Sequence, residues 1–563
     1  MIMTAALLGM ASCLAGPPVY RNPDRAAADA RPPEPVEIPF ELRATGVQEW
    51  ITNRQDAVSE SRIKALAHFG TGIVLEAREM AGPALEEYRQ AALEDPAHED
   101  LVLEVARRLL LARQLDQALE LLAAATSRED ATAAEWAMLA LARAELGQPE
   151  KAMEADRTAI QLNPRIIEPY QHLSRLQVQA GDAREALKVL ETARKVPDAD
   201  VGFLTSLAES LAGLRGVLGK DGDPLRATIL EVLERARKLN TRLPSMQMKL
   251  ADLYRTMGEF QTATRLYAEV LARHPELPGL RAKLAETYLR TGENRLALEQ
   301  LEKVARQDVT NPQLYYLIGN LASDLGDYKK AIEHYQKCIL LNAEFQPVYY
   351  DLTRVNLAAE KPEDALEVLG RIRAKFPRSF LVEFMTGLAQ VQLKKFPDAI
   401  QSFNSAEIIA SISETNRLTH AFYFQLGAAY ERNKNMEQAE KNFRRCLAMD
   451  PEDVEALNYL AYMWAEQSAN LEEAQRFIEK AVAKEPKNGA FLDTQAWILF
   501  RSNKLEEALR VQLKAVELTT KPDATLWDHL GDIYQALKQA DKAREAWQKS
   551  LSIEPSDAVK KKL

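Results

Sequence analysis

The fold class this sequence predicts is all-α, a solenoid of repeated helix pairs, and three observations predict it. An alanine returns almost every thirty-four residues, at Ala84, Ala118, Ala152 and Ala186, then at Ala263, Ala297, Ala331, Ala365 and Ala399. After a longer step the column resumes at Ala439, Ala474, Ala508 and Ala543. Around each alanine, apolar residues recur at helical spacing, and strand signals are absent. Such a period means one supersecondary unit copied along the chain, each copy burying its apolar face on its neighbours rather than in a central core.

With the column set as position 20, the clearest copies carry a bulky residue at 4, Leu or Ile at 7, Gly or Ala at 8 and an aromatic or Leu near 11. Beyond the column come an aromatic or Leu at 24, a small residue at 27 and often Pro at 32. In one copy these are Tyr423, Leu426, Gly427, Tyr430, Ala439, Phe443, Cys446 and Pro451; in the last they are Trp527, Leu530, Gly531, Tyr534, Ala543, Trp547, Ser550 and Pro555. Positions 4, 7, 8 and 11 share one face of a helix, as do 20, 24 and 27, so two short amphipathic helices pack antiparallel. Small residues at 8 and 20 admit axes about 8–10 Å apart. Turns fall between the helices at Gly258-Glu259, Gly292-Glu293 and Gly326-Asp327, and Pro at 32 stops the second helix.

This pattern resembles the tetratricopeptide repeat. The resemblance implies a right-handed α-solenoid, or superhelix, of about fourteen helix-turn-helix units between Ala65 and Pro555. One unit is irregular, with Ile229 in the alanine place. The step from Ala186 to Ile229 implies about nine inserted residues near Gly213 to Asp223, and about six more lie near Glu407 to Thr419, each a lengthened helix or loop. The expected organisation is a signal peptide with a lipobox-like end (1–13), a Pro/Ala-rich tether and lead-in (14–62), units 1–4 (63–198) and the irregular unit (199–243). Units 6–10 (244–407), units 11–14 (408–555) and a basic tail (556–563) follow. The stretch from Asn458 to Tyr462 and from Phe491 to Trp497 also resembles a pattern common in bacterial envelope proteins of this repeat class, with Ala461 and Ala496 in the usual glycine places.

Composition narrows the function classes. Charged residues are 27% and apolar ones 47%, and no stretch approaches the roughly 20 apolar residues of a spanning helix. A net charge of -10 argues against nucleic acid as a main ligand, because phosphate neutralisation needs clustered Lys and Arg and only Lys560 to Lys562 form a run, read as a solvated tail. Cys338 and Cys446 each fall seven residues after a column alanine and read as small buried apolar residues, too far apart to bridge. Cys13 differs. Met10-Ala11-Ser12-Cys13 closes an apolar N-terminus and resembles a bacterial lipobox, with Met in place of the usual Leu, and residues 17–35 carry six prolines in a composition suited to a tether. The resemblance implies lipidation of Cys13, and Leu14 after it implies outer-membrane retention. An ordinary cleaved signal and an incidental apolar N-terminus stand as alternatives.

The chain offers no converging catalytic motif. Gly216, Gly219, Lys220 and Asp221 fail the phosphate-loop pattern, and the seven histidines are scattered through the repeats without a metal-ligand spacing, so neither a cofactor nor a metal is expected. Binding is the better expectation. In the tetratricopeptide family the first helix of each unit lines the concave groove, which implies that Tyr316, Tyr350, Phe384 and Phe424 at position 5 face it, followed by Asn320, Arg354, Tyr462 and Trp497. Such a row suits an extended peptide or a partner helix. Packing of the same rings between adjacent helices is the competing reading. The family's carboxylate clamp is not reproduced.

The expected function is therefore a non-enzymatic interaction scaffold or adaptor: a lipoprotein on the periplasmic side of the bacterial outer membrane that binds protein partners, with homo-oligomers possible through terminal repeats. A cytoplasmic regulatory or chaperone-like module is the alternative, and an enzyme-associated subunit a remote one.

Overall fold

The computed structural model describes residues 60–563; Cys13, the lipobox-like segment and nearly all of the expected tether lie outside the described residues. Those described form twenty-eight α-helices of 12 to 18 residues, with no strand among them. Consecutive helices pair into fourteen repeats, numbered here by their column residue from Ala84 (repeat 1) to Ala543 (repeat 14). Every column residue is at most 1% exposed, Ile229 included. That burial is what the period predicts, since position 20 sits at the crossing of the two helices.

Position 8 meets position 24 at the same crossing. In repeats 1, 8, 10, 11 and 14 a glycine faces an aromatic ring: Gly72 on Tyr88, Gly319 on Tyr335, Gly387 on Phe403, Gly427 on Phe443 and Gly531 on Trp547. A Cβ on Gly319 or Gly387 would stand 2.5 Å from a ring carbon, well inside van der Waals contact. Where position 24 is a leucine, position 8 is a small residue: Ala106 with Leu122, Ser174 with Leu190, Ala285 with Leu301 and Thr353 with Leu369.

The turn between the paired helices needs a left-handed residue at position 15 in most repeats. Glycine supplies it at Gly147, Gly181, Gly258, Gly292 and Gly326. Elsewhere the same conformation falls on Glu79, Arg113, Glu360, Lys394, Lys434, Asn503 and Lys538, all with φ between 57° and 61°. Geometry of the antiparallel pair thus overrides the local preference of these side chains.

Both insertions are lengthened helices. The first helix of repeat 5, Val201–Leu218, runs on into the 3-10 turn Gly219–Gly222. This segment is long and apolar enough to cross a membrane by length and composition, but Phe203, Leu204, Leu207, Ala208 and Leu211 pack into the repeat core. The second helix of repeat 10 extends over Phe396–Ser413 before the 3-10 turn Thr415–Arg417.

The described residues fall into two compact units, 60–307 with repeats 1–7 and 308–563 with repeats 8–14. In 60–307 the core is mainly aliphatic, built on residues such as Leu109, Leu121, Leu122, Leu139 and Leu207, with Tyr170 and Tyr267 among its few fully buried rings. In 308–563 the fully buried side chains include Tyr335, Phe403, Phe422, Phe443, Trp464 and Phe491. In the basic run at 560–562, Lys560 and Lys561 are exposed, and only Lys562 departs from the expected solvated tail. Asp557–Lys560 forms a helical turn, Val559 is buried against Trp547, and Lys562 Nζ lies 2.8 Å from Asp528 Oδ1 and 2.7 Å from Asp532 Oδ2. The segment packs through Val559 on the apolar surface of repeat 14.

Candidate partner-binding face

Side chains on successive first helices reach one another across repeats. In 60–307, Lys283 Nζ lies 2.7 Å from Asp252 Oδ2, Arg255 reaches Glu286 at 3.2 Å, and Gln171 Nε2 donates to Ser210 Oγ at 3.0 Å. The lengthened helix of repeat 5 and the first helix of repeat 6, Pro244–Thr256, border a cleft of about 510 Å³. Met248, Leu253 and Leu277 give it an apolar wall, while Lys249, ion-paired to Glu209 at 2.8 Å, stands in its lining.

In 308–563 the same face carries a polar and aromatic patch on the first helices of repeats 8 and 9, Pro312–Asp324 and Gln346–Ala358. The Tyr316 hydroxyl donates to Asp351 Oδ2 at 2.6 Å, and Arg354 donates to Asp351 Oδ1 at 3.1 Å. Tyr335, from position 24, donates to Asn320 Oδ1 at 2.7 Å. Tyr350 lies on the same helix as Asp351 and Arg354, and its hydroxyl accepts from Gln346 at 2.9 Å. Tyr316, Asn320, Tyr350 and Arg354 all remain partly exposed. Burial, reinforced by Asp351, raises the Tyr316 phenol well above its ordinary range, so it stays a hydrogen-bond donor at neutral pH. Burial also raises the carboxyl of Asp324. Partial burial works against the Arg354 cation, but Asp351 outweighs it and holds the guanidinium firmly protonated.

Four of the eight residues read from sequence thus come together. The other four are placed differently. Phe384 is 3% exposed, stacked on Phe380 at 5.4 Å and tilted against Phe403 and Phe422. Phe424 is 8% exposed, edge-on to Tyr459 at 5.4 Å. A phenylalanine has no polar atom to keep in water, and aromatic neighbours in its own and the next repeat close over it, whereas Tyr316 and Tyr350 keep their hydroxyls on polar partners. The position-5 row is therefore open at repeats 8 and 9 and closed at repeats 10 and 11.

Trp497 and Tyr462 belong to a separate cluster in repeats 12–14. Trp497 is buried, donates to Glu466 Oε1 at 2.6 Å and stacks on His529 with ring centroids 4.0 Å apart; Tyr462 tilts over the same imidazole at 6.2 Å. His529 Nδ1 is 3.0 Å from Asp493 Oδ2, and Gln512 donates to Asp493 Oδ1 at 2.6 Å and to the Leu526 carbonyl at 2.8 Å. Burial alone would favour neutral His529; Asp493, with Glu466 and Asp528 behind it, reverses the sign and raises its pKa above the usual value.

Histidine–carboxylate pairing is the feature that sequence reading missed. Besides His529–Asp493, His172 pairs with Asp156 at 2.8 Å, His420 with Asp453 at 2.9 Å and His68 with Glu87 at 2.7 Å. The partners are 16 to 36 residues apart, so no short motif reveals them. The repeat register does contain the signal: His172 and Asp156 sit at positions 6 and 24 of adjacent units, where an acid replaces the usual aromatic or Leu.

Comparison with known proteins agrees with this architecture. A tetratricopeptide repeat profile matches residues 272–466, and further tetratricopeptide repeat profiles match 136–166, 248–279 and 524–557. The chain is similar to the TPR repeat-containing protein PA4667 of Pseudomonas aeruginosa, 28% identical over 222 residues, 39% of this chain and 36% of that protein. It is also similar to the type IV pilus assembly protein PilF of the same organism, 30% identical over 142 residues, 24% of this chain and 56% of that protein. The chain thus spans between about a third and just over half of the length of these relatives. Among solved structures, a tetratricopeptide repeat protein from Parabacteroides merdae aligns with 17% identity and a TM-score of 0.37, over 45% of this chain and 97% of that one. From the buried alanine column, the paired helices and the matching profiles it follows that this chain belongs to the tetratricopeptide repeat family, whose arrays are scaffolds for protein–protein interaction.

Proposed function

We propose that the chain is a membrane-tethered, non-enzymatic scaffold of the bacterial envelope that captures protein partners on its first-helix face, with repeats 8 and 9 as the main contact. The observation that carries this reading is the patch of Tyr316, Asn320, Tyr350 and Arg354 around Asp351, aromatic and charged side chains of the kinds that dominate binding energy, left partly exposed on adjacent helices. An extended segment or a helix laid across these two helices meets aromatic faces and hydrogen-bonding groups together. The cleft of repeats 5 and 6 offers a second contact point within 60–307.

Support for the tether is the sequence ending in Cys13 and the proline-rich stretch after it. Acyl chains at about 0.8 kcal/mol per buried methylene would hold the protein on a bilayer, with the outer membrane favoured by Leu14. Similarity to a protein named for type IV pilus assembly supports an assembly role.

Two experiments test the reading. Metabolic labelling with a fatty acid should mark the wild-type chain and leave Cys13→Ser unmarked; an unmarked wild type removes the anchor. Affinity capture from envelope extracts should fall about tenfold, or 1.4 kcal/mol, in the Tyr350→Ser, Arg354→Ala double variant while its melting temperature stays within about 2 °C. Unchanged capture would place the partner elsewhere.

A further inference from the structure

Three different donor atoms meet at one edge of repeat 11. His420 opens its first helix, His420–Arg432; Cys446 lies near the end of its second, Met436–Met449; and Asp453 caps the first helix of repeat 12, Val454–Glu466. A helix start, the end of its antiparallel partner and the start of the next helix share one edge of a repeat array, so positions 1, 27 and 34 are neighbours by construction. In two other repeats ordinary hydrogen bonds close this edge. Thr132, position 34 of repeat 2, donates to Glu99, position 1, at 2.8 Å, and Ser550, position 27 of repeat 14, donates to the carbonyl of Ala524, position 1, at 2.8 Å. Repeat 8 also has a cysteine at position 27, Cys338, but Pro312 and Phe345 fill positions 1 and 34.

In repeat 11 the three positions hold a nitrogen, a sulfur and an oxygen donor. His420 Nδ1 is 2.9 Å from Asp453 Oδ2, Cys446 Sγ is 3.4 Å from the same oxygen, and the donor atoms all lie within 4.8 Å of one another. A tetrahedral zinc ion with bonds of about 2.0 Å to nitrogen and oxygen and about 2.3 Å to sulfur sets its ligand atoms roughly 3.3–3.5 Å apart, so small side-chain shifts suffice. Asp453 Oδ1 accepts from the Ala456 N–H at 3.0 Å, and this cap orients the carboxylate with Oδ2 toward the other two donors. Cys446 is fully buried, the Asp453 side chain is 13% exposed and that of His420 is 44% exposed, so one side stays open for entry and for a water. A mixed sulfur, nitrogen and oxygen set selects against calcium and magnesium, which take oxygen ligands.

We propose that His420, Cys446 and Asp453 form a site for a zinc-class divalent cation, with water as the fourth ligand. The cation replaces the two hydrogen bonds now made to Asp453 Oδ2. The Cys446 thiol gives its proton to solvent and binds as thiolate, while neutral His420 loses the Nδ1 proton it now gives to Asp453, takes one from solvent on Nε2 and binds through Nδ1. The bound ion ties the start of repeat 11 to the start of repeat 12, directly after the lengthened helix of repeat 10.

Cobalt(II) titration of the full chain tests this. The wild type is expected to develop a thiolate-to-cobalt charge-transfer band and tetrahedral visible bands that saturate at one ion per chain and vanish on adding zinc. Cys338→Ser should keep the bands and Cys446→Ser should lose them. His420→Gln, a change at a partly exposed side chain that leaves the core intact, should weaken binding roughly tenfold or more. A wild type with no charge-transfer band, or bands that survive both Cys446→Ser and His420→Gln, would overturn the site.

Discussion

Residues 60–307 and 308–563 each hold seven repeats, but the first stretch carries nine aromatic residues and the second twenty-seven. One period therefore supports two kinds of core. In the first, leucine at position 24 meets alanine at position 8 in repeats 2 and 7, and large rings are few. In the second, four glycine–aromatic crossings draw the helices onto flat rings, and these rings touch others in neighbouring repeats, as Phe380, Phe384, Phe403 and Phe422 do. Aromatic pairs add about 0.5–1.5 kcal/mol beyond their buried area, and tyrosine and tryptophan bring a polar handle. The polar–aromatic patch of repeats 8–9 and the His529 cluster both lie in the aromatic unit.

Cavity formation should break the comparison most sharply. Phe403→Ala removes a ring shared by two repeats and should cost about 3–5 kcal/mol in denaturant unfolding, whereas Leu122→Ala at the same register in 60–307 should cost about 2–5 and fall at the lower end, since Leu carries less buried area. Equal losses would show that ring-to-ring contact adds nothing here.

His529 gives the next largest effect and one with a pH signature. Its pKa is raised in the folded chain, so its contribution is fully present below the unfolded value of about 6.5 and is lost as pH rises through the folded value. Asp493, Glu466, Asp528 and the Tyr462 phenol are the titratable groups facing it. His529→Ala leaves Asp493 without its cation and should destabilise by roughly 3 kcal/mol at pH 6, with a smaller deficit at higher pH. A deficit that grows with pH would mean that the imidazole is neutral in the fold.

Overpacking comes third. Gly319→Ala presses a methyl group on the Tyr335 ring and should cost about 1–3 kcal/mol, though alanine is the better helix former. A gain in stability would show that the ring can move aside. The smallest effect should be favourable: Lys434→Gly relieves a left-handed lysine at φ 61° and should add up to about 1 kcal/mol, read as a small rise in melting temperature.

The sequence by itself determined the period, and with it much of the fold. Because each repeat contacts chiefly its neighbours, a register read along the chain becomes a register in space; the buried alanines, Ile229 in the column and the places of both insertions were legible for that reason, and the structure decided that each insertion lengthens a helix. For the candidate site, position 5 was legible as a row on the first helices, but whether a ring there stays open depends on what the next repeat sets against it, and only the tertiary structure decided that Phe384 and Phe424 close while Tyr316 and Tyr350 do not. The same holds for the pairs His529–Asp493 and His420–Asp453, for Cys446, and for Lys562 on Asp528 and Asp532. Their partners are distant in sequence and meet because antiparallel helices bring starts and ends to one edge, where pairing, burial and charge are set by neighbours that no local pattern displays.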